Sequence, residues 1–314
     1  MIRISPIGRI GARERVGSGN RTYLQIISLI CRINTYLICL ISASSGRLGW
    51  RSLHPVRSRP DRRSVGEMAG AARTGQAREG AMAPPRYDTA LIVGAGHGLS
   101  ASLARLFARE GIRVAVAARD VGKLAGLSAE TGAEAFACDA ADPDQVAGLF
   151  DAVEARIGVP DIVVYNASGR ARGPVVDLVP AEVERTLAVS AYGGFLVAQQ
   201  AARRLLPKGS GAILFTGASA SVKGYARSAP FAMGKFALRG LAQSLARELA
   251  PRGIHVVHFV IDGGIRSPVR VESPDKPDSL LDPDAIAQTY LDITKQARSA
   301  WTWEVELRPW VETF

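Results

Sequence analysis

From Tyr87 onward, short apolar runs alternate with longer stretches whose apolar residues recur every three or four positions. The runs predict strands at 89–93, 113–117, 134–137, 161–165, 212–216, 255–261 and 303–307. Runs such as Ile162-Val163-Val164 are continuous rather than alternating, as in strands buried on both faces. Between them the longer period predicts helices near 98–110, 120–130, 143–157, 180–206, 229–250 and 283–297. In the helix at 229–250, Leu238, Leu241, Leu245 and Leu249 form an apolar stripe, and Phe231 and Lys235 share a face. Pro251 and Gly253 end it. Strand–helix alternation with short connections implies an α/β fold of about seven strands, a parallel sheet with helices on both faces. Right-handed crossovers make it a single doubly wound, Rossmann-type domain over 82–314.

Composition separates the first 81 residues from the rest. They hold fourteen arginines, no lysine and four acids, which accounts for the whole net charge of +10. The remaining residues carry 25 basic and 25 acidic side chains, so the domain is neutral and no nucleic-acid partner is expected. Residues 23–41 are apolar and of membrane-spanning length, but Arg32, Asn34 and Thr35 fall mid-span, where an arginine costs roughly 3 kcal/mol. Residues 42–81 are rich in Arg, Ser, Gly and Ala without apolar periodicity, the composition of a disordered segment. Three readings of this extension stand: an Arg-rich transit peptide, a genuine anchor or signal, or a segment preceding a natural start at Met82 or Met68. The last is favoured, because Met82-Ala83-Pro84-Pro85 leads directly into the first strand; the domain itself needs no membrane. Cys31, Cys39 and Cys138 have neither metal-ligand spacing nor a disulfide framework, which favours a reduced, cytoplasmic setting and no metal.

The first strand runs into Val93-Gly94-Ala95-Gly96-His97-Gly98-Leu99-Ser100 and then a helix. Glycines there let the backbone approach a pyrophosphate, which the helix's free N–H groups and dipole favour. Strand, glycine turn, helix and a second strand about twenty residues on together predict a dinucleotide site. The second strand ends in Ala118-Arg119-Asp120. An acid at that tip would bond the ribose hydroxyls of NAD; Ala118 stands there and Arg119 offers a guanidinium to a 2′-phosphate. NADP is therefore the expected cofactor, with NAD the alternative.

These residues resemble the short-chain dehydrogenase/reductase family over essentially all of 87–314. The glycine stretch is similar to the family's TGxxxGxG, with Gly94 and Gly98 matching, Val93 for the threonine and Ser100 for the last glycine. Cys138-Asp139 resembles its adenine-contacting aspartate, and Tyr165-Asn166-Ala167-Ser168 its NNAG, with Asn166 and Ala167 kept. Asp262-Gly263-Gly264-Ile265-Arg266-Ser267 is similar to PGxVxT, which lies against the nicotinamide. The resemblance implies a catalytic Ser, Tyr, Lys and Asn. Lys235 carries over directly, as the lysine that bonds the nicotinamide ribose, while Phe231 falls on the tyrosine, Ala218 on the serine with Ser219 beside it, and Ser190 on the asparagine. A phenyl ring cannot exchange the proton that a phenol can. Ser219, Ser221 and Tyr225 are the local candidates to replace it, and Asp262 is a further carboxylate beside the nicotinamide motif. His255 and His258 fall in a strand pattern and read as structural.

Two functions follow. One is an NADP(H)-dependent oxidoreductase acting on a small carbonyl or alcohol through an altered proton path. The other is a dinucleotide-binding partner or sensor without turnover. The resemblance also implies that the helices at 180–206 and 229–250 pair across a two-fold axis, giving a homodimer or homotetramer. Apolar residues at 264–282 suggest a lid over the substrate end.

Overall fold

The computed structural model describes residues 85–312. The readings of the N-terminal extension, including the apolar run at 23–41, lie outside them. No helix among the described residues is long and apolar enough to cross a membrane.

Seven parallel strands form one sheet: β1 (Thr89–Val93), β2 (Arg113–Ala118), β3 (Glu134–Ala137), β4 (Ile162–Tyr165), β5 (Gly211–Thr216), β6 (Ile254–Ile261) and β7 (Glu304–Leu307). Their spatial order is β3-β2-β1-β4-β5-β6-β7. The chain therefore reverses direction across the sheet between β1 and β4, which opens a crevice beyond their C-terminal ends. All the strands predicted from the apolar runs are present. β4 starts one residue later than expected because Asp161 is a staple: its Oδ2 accepts from the N–H groups of Asp88 and Thr89 and from Thr89 Oγ1, and its Oδ1 from Lys208.

Helices cover both faces, because successive strand residues point to opposite sides. On one side Ile92, Val116 and Val164 pack with α1 (Leu99–Arg109), α2 (Ala125–Thr131) and α7 (Pro283–Thr294), through Leu103, Phe107 and Tyr290. On the other, Leu91, Val163 and Phe215 pack with α3 (Pro143–Ile157), α5 (Gly193–Lys208) and α6 (Ala229–Leu249), through Phe150, Val197 and Leu238. Asp142 caps α3 by accepting from the N–H groups of Asp144 and Gln145, with Pro143 at the first helical position. Gly253, at φ 84°, closes the short turn after α6.

The single helix expected over 180–206 is interrupted. α4 (Pro180–Leu187) passes through one π-helical turn at Ala188–Tyr192 before α5 begins. Apolar period alone cannot register such a turn, whose carbonyls need outside partners. The Tyr165 hydroxyl donates to the Val189 carbonyl there. Ser190, also in this turn, accepts from the Gly169 N–H at 3.0 Å and packs against α6, where a Cβ on Gly234 would lie 2.6 Å from its own Cβ.

Candidate functional site

Two cavities adjoin at the C-terminal ends of the strands and share Asn166 and Ser168. The first, about 360 Å³, lies over the switch point between β1 and β4. Gly94, Gly96, His97, Arg119, Asp139, Asn166 and Ala167 line it. Gly94 is at φ 87°, and a Cβ there would fall 2.3 Å from the Ala167 backbone nitrogen, so the turn admits glycine alone. The N–H groups of Gly94 and Ala95 both donate to the Ala117 carbonyl, fixing the turn against β2. Asn166 braces it from the other side, its amide donating to Ser100 Oγ at 2.7 Å. Ser100 in turn donates to the Gly94 carbonyl at 3.1 Å.

Two residues assigned to the glycine stretch act differently from the rest. Gly98 and Leu99 do not line the cavity: Gly98 caps α1, and Leu99 is buried in the core. Their contribution is to start the helix, whose first N–H groups have no intrahelical acceptor.

At the tip of β2, Asp120 is already engaged. It accepts from the Gly122 N–H at 3.1 Å and lies 3.2 Å from Lys123 Nζ. Arg119 has no carboxylate partner among the described residues. A phosphate entering this end meets an uncompensated guanidinium.

The second cavity, about 230 Å³, extends towards α6. Its floor is Lys235, 2% exposed, whose Nζ donates to the Thr216 carbonyl at 2.7 Å. Burial pushes the Lys235 ammonium down to about 7, helped by the charge of Arg170. Phe231, one turn earlier, presents its ring 5.9 Å from Lys235 Nζ. Gly263 and Ile265 form the opposite wall, with Arg270 from the loop that follows. A Cβ on Gly263 would come within 2.8 Å of Pro309, so the C-terminal segment supports this wall from behind.

Three expected residues are not brought together with Lys235. Ser219 and Ser221 sit in a 3₁₀ turn behind the lining, which Ala218 contributes with a methyl group. Ser221 is buried and accepts from the Ala218 N–H. Tyr225 is 45% exposed and turned out towards Lys223. The loop that carries these residues is pinned by Lys223, which bonds Asp262 at 3.1 Å. Asp262 is therefore a strut rather than a cavity group.

His258 is buried beneath this loop. Glu304, held by Arg239 at 2.6 and 2.7 Å, faces its Nδ1 at 3.0 Å. Burial pushes its pKa down to about 4 against the pull of Glu304, so the ring is neutral at pH 7. Nε2 lies where a Cβ on Gly217 would be 2.3 Å away, which ties the backbone beside Thr216 to β6. His255 stacks on Trp301 and meets the Thr302 carbonyl, the structural part expected of it.

Arg170 and Arg270 were not foreseen. The Arg170 guanidinium lies over the Phe231 ring with Cζ 4.3 Å from its centre. The signal in the sequence was the pair Arg170 and Arg172 immediately after Tyr-Asn-Ala-Ser, in a loop otherwise small and apolar.

The profile of the short chain dehydrogenase family matches residues 88–278. The chain belongs to this family. Among curated members it is 34% identical over 172 residues to D-threitol dehydrogenase from Mycolicibacterium smegmatis, covering 53% of this chain and 66% of that one. It is 36% identical over 171 residues to (+)-borneol dehydrogenase 1 from Salvia officinalis, covering 52% and 65%. The matches thus span just under two thirds of these dehydrogenases. Among solved structures, a short-chain dehydrogenase from Rhodopseudomonas palustris is 34% identical with a TM-score of 0.62, covering 72% of this chain and all of that one. A metagenomic short-chain oxidoreductase solved in complex with NADP is 30% identical with a TM-score of 0.62, over 71% and 97%.

Proposed function

We propose that residues 82–314 form an NADP(H)-dependent oxidoreductase that interconverts a carbonyl and an alcohol, with Lys235 as its proton-exchanging group. Phe231 stands where the family has its tyrosine. The observation that carries this reading is the lining of the second cavity. Of its side chains, Lys235 alone can change charge near neutral pH, since the others are arginines, hydroxyls, an amide and apolar groups.

The first cavity fits a dinucleotide. The Gly94 turn leaves its floor free of side chains, the start of α1 offers N–H groups to a pyrophosphate, and Arg119 stands free for a 2′-phosphate. The solved relative that binds NADP supports the same choice. When bound, the nicotinamide supplies or accepts the hydride. Asn166 keeps the turn in shape, and Gly263 and Ile265 give the nicotinamide end a flat, apolar wall. Lys235, held by the Thr216 carbonyl, gives a proton to the substrate oxygen as ammonium and takes one back as amine. A pKa near 7 suits both directions.

Two further features complete the reading. Tyr192, Phe195, Met233 and Phe236 are each 41–51% exposed on α5, α6 and the turn before them, an apolar face that supports a homodimer or homotetramer. Cys138, buried and unpaired, suits a reducing cytoplasmic setting.

The test is to titrate the protein with NADPH by fluorescence and follow NADPH absorbance against a panel of aldehydes, ketones and oxo acids. Reduction should have a kcat/KM that falls as pH rises through about 7, where Lys235 loses its proton. Lys235→Met should lower it by about 10²–10⁴-fold. Tight NADPH binding without turnover across the panel would leave the other reading, a dinucleotide-binding partner or sensor.

A further inference from the structure

The second cavity is cationic and lacks any carboxylate. Arg170, Lys235 and Arg270 line it. Burial, and after it the charges of Arg172 and Arg270, hold the Arg170 pKa below its usual value. Four acids of the neighbouring loops are engaged elsewhere. Asp262 pairs with Lys223, Asp282 with Arg266, Glu272 accepts from the Leu280 N–H, and Asp278 from Trp310 Nε1. Arg170, Arg172 and Arg270 have no carboxylate partner among the described residues.

Arg170 is also held in one place. Its guanidinium lies over the Phe231 ring, with Cζ 4.3 Å from the ring centre, and its fork of donors has no carboxylate partner among the described residues. A stacked, unpaired arginine facing another arginine across a small cavity is an anion clamp.

From this geometry we infer that the substrate is an anion: a small oxo acid, or the matching hydroxy acid, whose carboxylate is gripped by Arg170 and Arg270 while its reacting oxygen meets Lys235. The inference rests on the reading of the site as a carbonyl–alcohol oxidoreductase and supplies its substrate class. Reach limits the size. Lys235 Nζ and Arg170 Cζ lie 5.9 and 4.3 Å from the same ring centre, so they are no more than 10.2 Å apart. A hydrogen bond at the lysine takes up about 3 Å and a bidentate contact at the guanidinium roughly 4 Å. At most about 3 Å is left, which excludes a carboxylate further than about two carbons from the reacting carbonyl.

The experiment compares pyruvate with methyl pyruvate, and dihydroxyacetone phosphate with dihydroxyacetone, using the full chain and NADPH. Pyruvate should exceed its ester in kcat/KM by at least about tenfold, the worth of one charged hydrogen bond. Arg170→Gln should collapse that ratio, and Arg172→Gln, outside the cavity, should keep it. A preference for the phosphate without one for pyruvate would overturn the carboxylate assignment, and so would an ester reduced as well as the acid. Calorimetric titration of oxamate, with and without NADPH, reads the clamp without turnover. Oxamate binding that weakens about tenfold in Arg170→Gln keeps the clamp even if no carbonyl is reduced, in which case the oxidoreductase reading alone fails. No binding of oxamate to the wild type would overturn the clamp even where carbonyls are reduced.

Discussion

Replacing Lys235 with methionine should raise stability at low pH and flatten its pH dependence above neutrality. The ammonium is 2% exposed, and burial brings its pKa from 10.5 to about 7. Between those values the unfolded chain binds a proton that the folded protein has released. Unfolding then takes up protons, so wild-type stability rises with pH across that window. Below pH 7 the penalty of the buried charge is fully present, about 5 kcal/mol for a shift of this size. Between pH 7 and 9 it falls by about 2 kcal/mol. Methionine keeps the apolar stem without the charge. It leaves the Thr216 carbonyl without its donor, at a cost of about 1 kcal/mol that does not vary with pH. The variant should therefore be more stable than wild type by several kcal/mol at pH 6, with the gap closing by about 2 kcal/mol from pH 7 to 9. Urea unfolding at fixed protein concentration, read as the difference between the two proteins, measures this and cancels the raised pKa of Cys138, which both share. A difference independent of pH would mean that Lys235 titrates as an ordinary lysine, and the case for it as proton donor near neutrality would go with it.

Two more predictions concern the other cavity. Gly94→Ala puts a Cβ 2.3 Å from the Ala167 nitrogen at φ 87°, so it should lower Tm, with a cost above about 1 kcal/mol, and abolish NADPH binding in the fluorescence titration. Arg119→Glu should weaken NADPH at least about tenfold while NADH is held as well or better; equal loss of both would remove Arg119 from the 2′-phosphate.

The sheet and the cofactor end were legible in the sequence for the same reason: both are matters of backbone. Ile162-Val163-Val164 is buried on both sides, as strands of a parallel sheet covered by helices are, and Gly94 is required where its turn runs against Ala167. Spacing along the chain registers such constraints. The π turn at Ala188–Tyr192 was not legible, because its stabilising partners, Tyr165 and Gly169, come from other elements. Ser219 and Tyr225 failed for a related reason. They are near Phe231 in sequence, but the Lys223–Asp262 bond and the Ser221–Ala218 bond rotate their loop so that Ala218 faces inward.

Phe231 shows how far one residue's meaning depends on its neighbours. In the sequence it stands for something lost, a phenol where proton exchange is expected. In the fold its ring is covered by Arg170 at 4.3 Å and lies 5.9 Å from Lys235. The ring offers its face to the guanidinium and has no hydroxyl to hydrogen-bond the fork. On the proposed reading proton exchange falls to the lysine, whose pKa is brought towards neutrality by burial and by that same arginine. Phe231 and Arg170 are thus physically coupled to Lys235: the arginine that occupies the ring face also helps lower the lysine's pKa. A Phe231→Tyr change made alone would add a hydroxyl to a ring whose face the guanidinium already occupies.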